Sequence, residues 1–407
     1  MSRTSSTRMK PPVRQIPRIR FSGFSEPWKL KPIKQILNLT DRPFEMLDDD
    51  VYTLITVRRG NHGVVSRGQY LGSKVLVKSQ FKVEADDFVI SKRQIVHQAC
   101  GIVPKTLDGA IVSNEYDVFK PSPDCCIRYF DYFSYRPEMR HAFFLSCVGV
   151  HLEKMLFRTN DWLKRRIYFP TLPEQRKIAD FLTAVDGRIQ QLSQKEALLQ
   201  DYKKGVMQQL FTQALRFKDD HGNEFPDWEE KTLGDVVTVN PKTSDLPGSF
   251  IYIDLESVSA GVLHSPRRIS KVDAPSRAQR VLQRGDILYQ TVRPYQMNNY
   301  LFDLEAVHVA STGYAQLRAS TNDARFVYYS LHLPRFVGDV MDRCTGTSYP
   351  SINSKVLAEI EIPIPSVPEQ TKIANFLTAL DRKIESVAHQ ITHTQTFKRG
   401  LLQQMFV

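Results

Sequence analysis

Within ten residues, QTVRPYQMNN (290–299), the chain sets Gln290, Arg293, Gln296, Asn298 and Asn299 around the ring of Tyr295, with Tyr300 next in line. Arg, Gln and Asn carry forked or paired donors and acceptors, the groups that match base edges, while hydroxyls and amides can hold phosphates. A plain surface loop seldom interleaves so many of them with aromatics. Similar clusters recur: RRGNHG (58–63) with Arg58 and Arg59, GSKVLVK (72–78) with Lys74 and Lys78, and SKRQIVHQ (91–98) with Lys92, Arg93, Gln94 and His97. Further on come SPRRISK (265–271) with Arg267, Arg268 and Lys271, and RCTGTSYPSIN (343–353) with Thr345, Thr347 and Ser348. These are the candidate nucleic-acid contacts. The charge balance agrees, since 55 Lys and Arg against 44 acids leave +11, which suits a polyanionic partner.

Residues arranged for catalysis do not show. There is no GxxxxGK[ST] phosphate loop and no GxGxxG opening a helix. VNPKT (239–243) lacks the second proline and the aromatic of the adenine-methyltransferase motif, so Asn240–Pro241 reads as a turn. The five cysteines have no CxxC spacing and read as reduced and unligated, and no metal site is expected. His389 and His393 stand four apart but outside the apolar stripe of their helix, without a carboxylate neighbour, and read as solvated. No apolar run is long enough to span a bilayer and no signal peptide is apparent, so the expectation is a cytoplasmic protein without a membrane partner.

The elements that would position the clusters come from an internal duplication. TLPEQRKIADFLTAVD (171–186) recurs 195 residues later as SVPEQTKIANFLTALD (366–381), and KKGVMQQLF (203–211) recurs as KRGLLQQMF (398–406). Fainter pairs keep nearly the same spacing: IRF (19–21) with Trp28 and LRF (215–217) with Trp228, DDFVISKR with GDILYQTVR, and VSNEY (112–116) with ASTGY (310–314). Each strong repeat reads as a helix. Thr171 and Ser366 stand three before Glu174 and Glu369, the spacing of a capping box, with Pro173 and Pro368 in the first turn. A heptad stripe follows, with core positions Ile178, Leu182, Val185, Ile189 and Leu192 in one copy and Ile373, Leu377, Leu380, Ile384 and Val387 in the other. Glu196, Lys203, Thr394 and Lys398 interrupt it. So narrow a stripe asks for a second helix, and a run of roughly 38 residues gives a rod of about 57 Å.

Strand-like runs such as YTLITVRR (52–59), FVISKRQIV (88–96), FIYIDL (250–255) and DILYQTVR (286–293) lie between Gly, Pro and Asp turns, with short helices near 136–147 and 322–341. The expected fold is mixed α/β. It comprises a globular domain (1–169), a spacer helix (170–214), a second globular domain (215–364) and a second spacer helix (365–407). The helices are expected to form an antiparallel coiled coil that relates the halves by a pseudo-twofold.

The doubled PEQ.KIA.FL.A.D helices, each followed by K.G..QQ.F, the RF…W openings, GDIL (285–288) and TGTS (345–348) together resemble the specificity subunits of Type I restriction–modification systems. The resemblance covers essentially the whole chain. It implies two target-recognition domains that each read one half of a split double-stranded DNA target. It also implies long helices that dock two modification (methyltransferase) subunits and, through them, two restriction (motor and nuclease) subunits. S-adenosylmethionine would sit in the modification subunits, ATP and Mg in the restriction subunits, and no cofactor in this chain, which would not itself be an enzyme. The alternatives are a specificity subunit of an orphan or related system that directs methylation only, and a stand-alone two-headed DNA-binding regulator. The first domain departs from the pattern, with ADDF in place of GDIL and VGVHLEKMLFRTN (148–160) in place of TGTSYPSIN.

If the helices set the distance between half-sites, inserting one heptad into both should change the unread spacer in the target and leave both half-sites alone. Mapping methylated adenines in cells carrying that variant checks it, and an unchanged spacer refutes the ruler.

Overall fold

The computed structural model describes residues 16–242, 245–264 and 267–407. Thr243 of VNPKT and Ser265 and Pro266 of SPRRISK lie outside the described residues. Contacts divide the chain into two units, one formed by the residues up to 192 with 390–407 and the other by 193–389. The duplicated segments form helices Leu172–Phe211 and Val367–Gln404. Each unit therefore contains the start of one long helix and the end of the other, which requires the two to run antiparallel.

Both units follow one plan. In the first, an antiparallel sheet is ordered Leu37–Leu39, Tyr116–Pro121, Phe88–Ser91, Cys100–Ile102. A mixed sheet is ordered Val64–Leu71, Val51–Val57, Ile111–Ser113, Gln80–Lys82, with its middle pair parallel. The second unit repeats both orders and both senses: Thr238–Val239, Tyr314–Arg318, Ile287–Gln290, Tyr300–Leu301, and Arg267–Ser270, Ser249–Ile253, His308–Ser311, Ala278–Val281. The strands FVIS (88–91) and ILYQ (287–290) are aliphatic or aromatic up to their last residue and wholly buried, as central strands require. The acidic turns ahead of them are also equivalent. Asp87 accepts from the Glu84 amide and binds Arg42, and Asp286 accepts from the Gln283 amide and binds Arg318.

A two-stranded ribbon brings each tryptophan to a helix start. Lys29–Pro32 pairs with Arg166–Phe169, and Glu229–Thr232 with Glu361–Ile364. Beyond the ribbons, Glu174 and Glu369 are buried to 1% and 0% exposure. The capping-box reading is corrected here, because neither carboxylate turns back to its own helix. Glu174 takes two hydrogen bonds from Arg20, at 2.7 and 2.8 Å, and one from Trp28 Nε1 at 3.3 Å. Glu369 takes the same pair from Arg216, at 3.1 and 2.9 Å, and one from Trp228 Nε1 at 3.1 Å. A buried carboxylate is stabilised far more by a forked guanidinium than by one backbone N–H, so the arginine wins.

The next motif residue fixes a short aromatic helix. Gln175 accepts from the Cys126 amide at 2.8 Å and donates to the carbonyls of Asp124 and Pro170, just ahead of helix Ile127–Ser134. Gln370 accepts from the Asp323 amide at 2.9 Å and donates to Asn322 and Pro365, just ahead of helix Ala324–Ser330. The closing aspartates then meet tyrosines of those helices, Tyr132 Oη to Asp186 and Tyr329 Oη to Asp381, both at 2.7 Å.

Lys203 and Lys398, which interrupt the apolar stripe, are ion-paired. Lys398 meets Asp186 at 2.6 Å in the first unit and Lys203 meets Asp381 at 2.5 Å in the second. Each lies over the tyrosine that shares its aspartate, 5.3 and 5.2 Å from the ring centroids. Phe406 stacks on Tyr129 and Phe211 on Phe326, each pair 5.3 Å apart. The stripe residues have a double role that periodicity did not show. Ile178, Leu182 and Val185 share a core with Leu401, Met405 and Phe406 of the other helix, and also with Trp28, Tyr129 and Phe133 of the globular part. Ile373, Leu377 and Leu380 do the same with Val206, Leu210, Phe211 and Phe326. Leu192 and Val387 are buried to 2% each, and Ile189 and Ile384 are half-buried.

Glu174→Ala or Glu369→Ala leaves a guanidinium and an indole N–H without their acceptor. Each should cost on the order of 3 kcal/mol in a urea unfolding titration, whereas Lys398→Met, at a partly exposed pair, should cost about 1 kcal/mol or less.

Candidate nucleic-acid interface

In the second unit the structure joins two of the candidate clusters into one surface. Strand Ile287–Gln290 runs into a turn, Pro294–Gln296, flanked by Arg293 and Met297 in the left-handed region, at φ 55° and 51°. The TGTS loop folds against it. The Arg293 amide donates to the Pro350 carbonyl at 2.7 Å, the Ile352 amide to the Thr291 carbonyl at 3.0 Å, and Thr345 and Ser351 bond each other through both backbone amides. Gly346, at φ +90°, makes the tight bend, since a Cβ there would stand 3.1 Å from the Tyr349 carbonyl oxygen. Thr345, Thr347 and Ser348 are exposed beside it.

Burial separates supports from presented groups within 290–299. Gln290 and Asn299 are each 2% exposed. Gln290 Nε2 donates to Gln296 Oε1 at 2.9 Å and its Oε1 accepts from the Asn298 amide at 3.2 Å, while Asn299 Oδ1 accepts from the Gln290 amide at 2.9 Å. His332 completes the support. Burial lowers its pKa, so the ring is neutral. Its Nδ1 lies 2.7 Å from the Tyr328 carbonyl and must donate there, which leaves Nε2 to accept from the Asn299 amide at 3.4 Å. Asn298 is half-buried and takes the Ala260 amide on its Oδ1. Arg293 is half-buried, while Tyr295 and Gln296 are exposed. The Arg293 guanidinium lies 4.3 Å from the ring centroid of Tyr349, itself 64% exposed. Tyr349 is the partner that residue types alone miss; its signal was an aromatic one place after TGTS, in reach only once the two loops meet. Arg267, Arg268 and Lys271 stand apart from this surface in sequence, exposed on or just after an outer strand of the mixed sheet.

The first unit places its candidates differently. The 58–61 turn bonds to the 95–98 turn, with the Gly60 amide on the His97 carbonyl and the Asn61 amide on the Gln98 carbonyl, so Arg58, Arg59 and His97 share one region. The segment equivalent to the TGTS loop delivers Glu153 there, 3.2 Å from Arg59 and 3.0 Å from His97. Lys92 pairs with Asp117, Arg93 with Glu115 and Lys78 with Asp48. Gln94 is half-buried, and among the described residues neither Arg58 nor Lys74 has a carboxylate within ion-pair distance. Asn240 forms the expected turn, at φ 51°, and holds the Gln316 amide. His389 is corrected in one respect: Glu385, one helical turn back, lies 3.8 Å from it, with both side chains exposed.

A family model described as Type I restriction modification DNA specificity domain matches the chain twice, at 25–200 and 226–393. The MjaVIII type I restriction enzyme specificity subunit of Methanocaldococcus jannaschii is 27% identical over 253 residues, 58% of this chain and 58% of that protein. The HindI specificity subunit of Haemophilus influenzae is 29% identical over 194 residues, 44% of this chain and 41% of that protein. The chain thus spans about half the length of the curated relatives it matches. Among solved structures, the Type I restriction–modification S subunit from M. genitalium aligns with 96% of this chain and 99% of its own, at TM-score 0.59 and 15% identity. The HsdS subunit from Thermoanaerobacter tengcongensis aligns with 93% and 96%, at TM-score 0.50 and 17% identity. At these identities the likeness is one of fold.

Gln290→Ala removes the amide that ties Gln296 to the Asn298 backbone. It should cost about 1–3 kcal/mol in urea unfolding and speed hydrogen exchange at the Asn298 amide, while the long helices keep their protection.

Proposed function

The chain belongs to the Type I restriction modification DNA specificity family, and from that membership we propose that it is the non-catalytic subunit that selects a bipartite DNA target for partner enzymes. The observation that carries this reading is the doubling. One family model matches twice, and each match takes in a globular part and most of a long helix, so the molecule has two reading heads of one design. Each head carries exposed basic and amide side chains on loops anchored by buried strands, the arrangement that direct readout needs. In this reading Arg58, Arg59, Lys74, Lys78 and the 92–97 cluster serve the first half-site. Arg267, Arg268, Lys271, the 290–299 loop and Thr345, Thr347 and Ser348 serve the second, with Gln290 and Asn299 as supports.

The partners are double-stranded DNA, two modification subunits that bring S-adenosylmethionine, and two restriction subunits that bring ATP and Mg. The long helices are the docking rods: their apolar stripes are occupied within the units, while Leu198, Tyr202 and Phe397 stay exposed along them for a partner to cover. Placing the chemistry on the partners lets one modification subunit act at either half-site, with this chain supplying only the choice.

Adenine methylation should follow a two-part motif that disappears when the gene is deleted and returns on complementation, read by sequencing modified bases genome-wide. A motif that survives deletion would sink the proposal. The purified chain alone should bind DNA weakly and lose that binding steeply as salt rises, with specific, less salt-sensitive binding once the modification subunit is added. Tight specific binding by the chain alone would instead make it a self-sufficient regulator.

A further inference from the structure

Resting on the reading of the chain as a DNA-selecting subunit, we propose that Arg293, braced by Tyr349, reads a guanine in the half-site of the second unit, and that the first unit has no equivalent reader. Four features of the site converge on this. First, the guanidinium is uncommitted: its close neighbour is the Tyr349 ring, and among the described residues it makes no ion pair. In the first unit two arginines near the matching turn, Arg59 and Arg93, are held by Glu153 and Glu115. Second, stacking on an aromatic face fixes the plane of a guanidinium while leaving its outer edge of donors open. That edge matches O6 and N7 of guanine, and a pre-set plane loses less freedom on binding than a flexible side chain.

Third, the backbone of Arg293 lies at φ 55°, ψ 54°, a conformation that non-glycine residues avoid. Strain of this kind persists where the surroundings impose it, and here they do, through the bond to Pro350 on one side and the following Pro294 turn on the other. Fourth, the equivalent turn of the first unit begins at Gln94, with φ −116°, and the hairpin facing it carries Glu153 rather than a tyrosine. The stacked cation is therefore an asymmetry between two otherwise matching units.

The test uses the intact system, with its modification subunit, carrying the wild-type chain or Arg293→Ala, Arg293→Gly, Arg293→Lys or Tyr349→Leu, and reads the methylated motif genome-wide. With Arg293→Ala one guanine position in one half of the motif should relax by roughly tenfold or more, while the other half is unchanged. Tyr349→Leu should relax the same position less. Arg293→Gly should show the same relaxation with a melting temperature no lower than wild type, which separates reading from a structural role. If Arg293→Ala and Arg293→Gly abolish methylation, Arg293→Lys decides: a relaxed guanine supports the proposal and an unaltered motif overturns it. It is also overturned if Arg293→Ala retains the wild-type motif, if modification falls evenly at all sites as loss of a phosphate contact would cause, or if the relaxed position is not a guanine. A wild-type chain that directs no motif would sink the broader reading, and with it the assignment of Arg293.

Discussion

A carboxylate with almost no access to water governs each half of this molecule. Glu174 and Glu369 sit at the first turn of a long helix, where a charge would ordinarily face solvent. Burying it is tolerable only because an arginine from a distant segment and an indole N–H arrive together. That requirement ties the segment opening each globular part (Arg20 and Trp28, or Arg216 and Trp228) to the helix that follows it about 150 residues later. The ribbon strands, the neighbouring glutamine and the aromatic helix it anchors all take their positions from that knot.

The duplication has a second consequence, visible in the closing residues of the motifs. The aspartate near the start of each long helix is answered by a lysine near the end of the other, Asp186 by Lys398 and Asp381 by Lys203. Each copy of the motif thus supplies what the other copy needs. Such reciprocity explains why the two helical segments stay so alike while the loops of the two globular parts differ. A change in one helix must be matched in its counterpart, whereas Glu153 and Tyr349 occupy comparable places and answer only to what each loop meets.

Much of this was legible in the residues, for stated reasons. A long amphipathic repeat declares itself, and two like helices that each ask for a partner made an antiparallel pair with a pseudo-twofold the expected arrangement. The mixed α/β class followed from short β-branched runs between turns. Other features were ambiguous by nature. Glu174, three places after Thr171, fits both a capping box and a buried ion pair, and only the arrival of Arg20 decides. Lys203 and Lys398 look like faults in a stripe until their aspartates are placed. Gln290, Arg293 and Asn299 are alike as residue types, yet two lie under the loop and one stands in it, a distinction set by strand register and not by composition. Strand order could not be read, because the middle pair of each mixed sheet is parallel and joins segments some 60 residues apart.

The way each unit is assembled also shapes how the chain must be made. The second unit draws on one continuous stretch, 193–389, and has all its parts once that stretch is synthesised. The first is completed by 390–407, whose Leu401, Met405 and Phe406 fill the space beside Trp28 and Tyr129. During translation the earlier-made half therefore waits with an unfilled apolar cleft while the later-made half closes, and such an interval is when a nascent chain is most exposed to wrong associations. Synthesis runs from the first half to the second, and completion runs the other way.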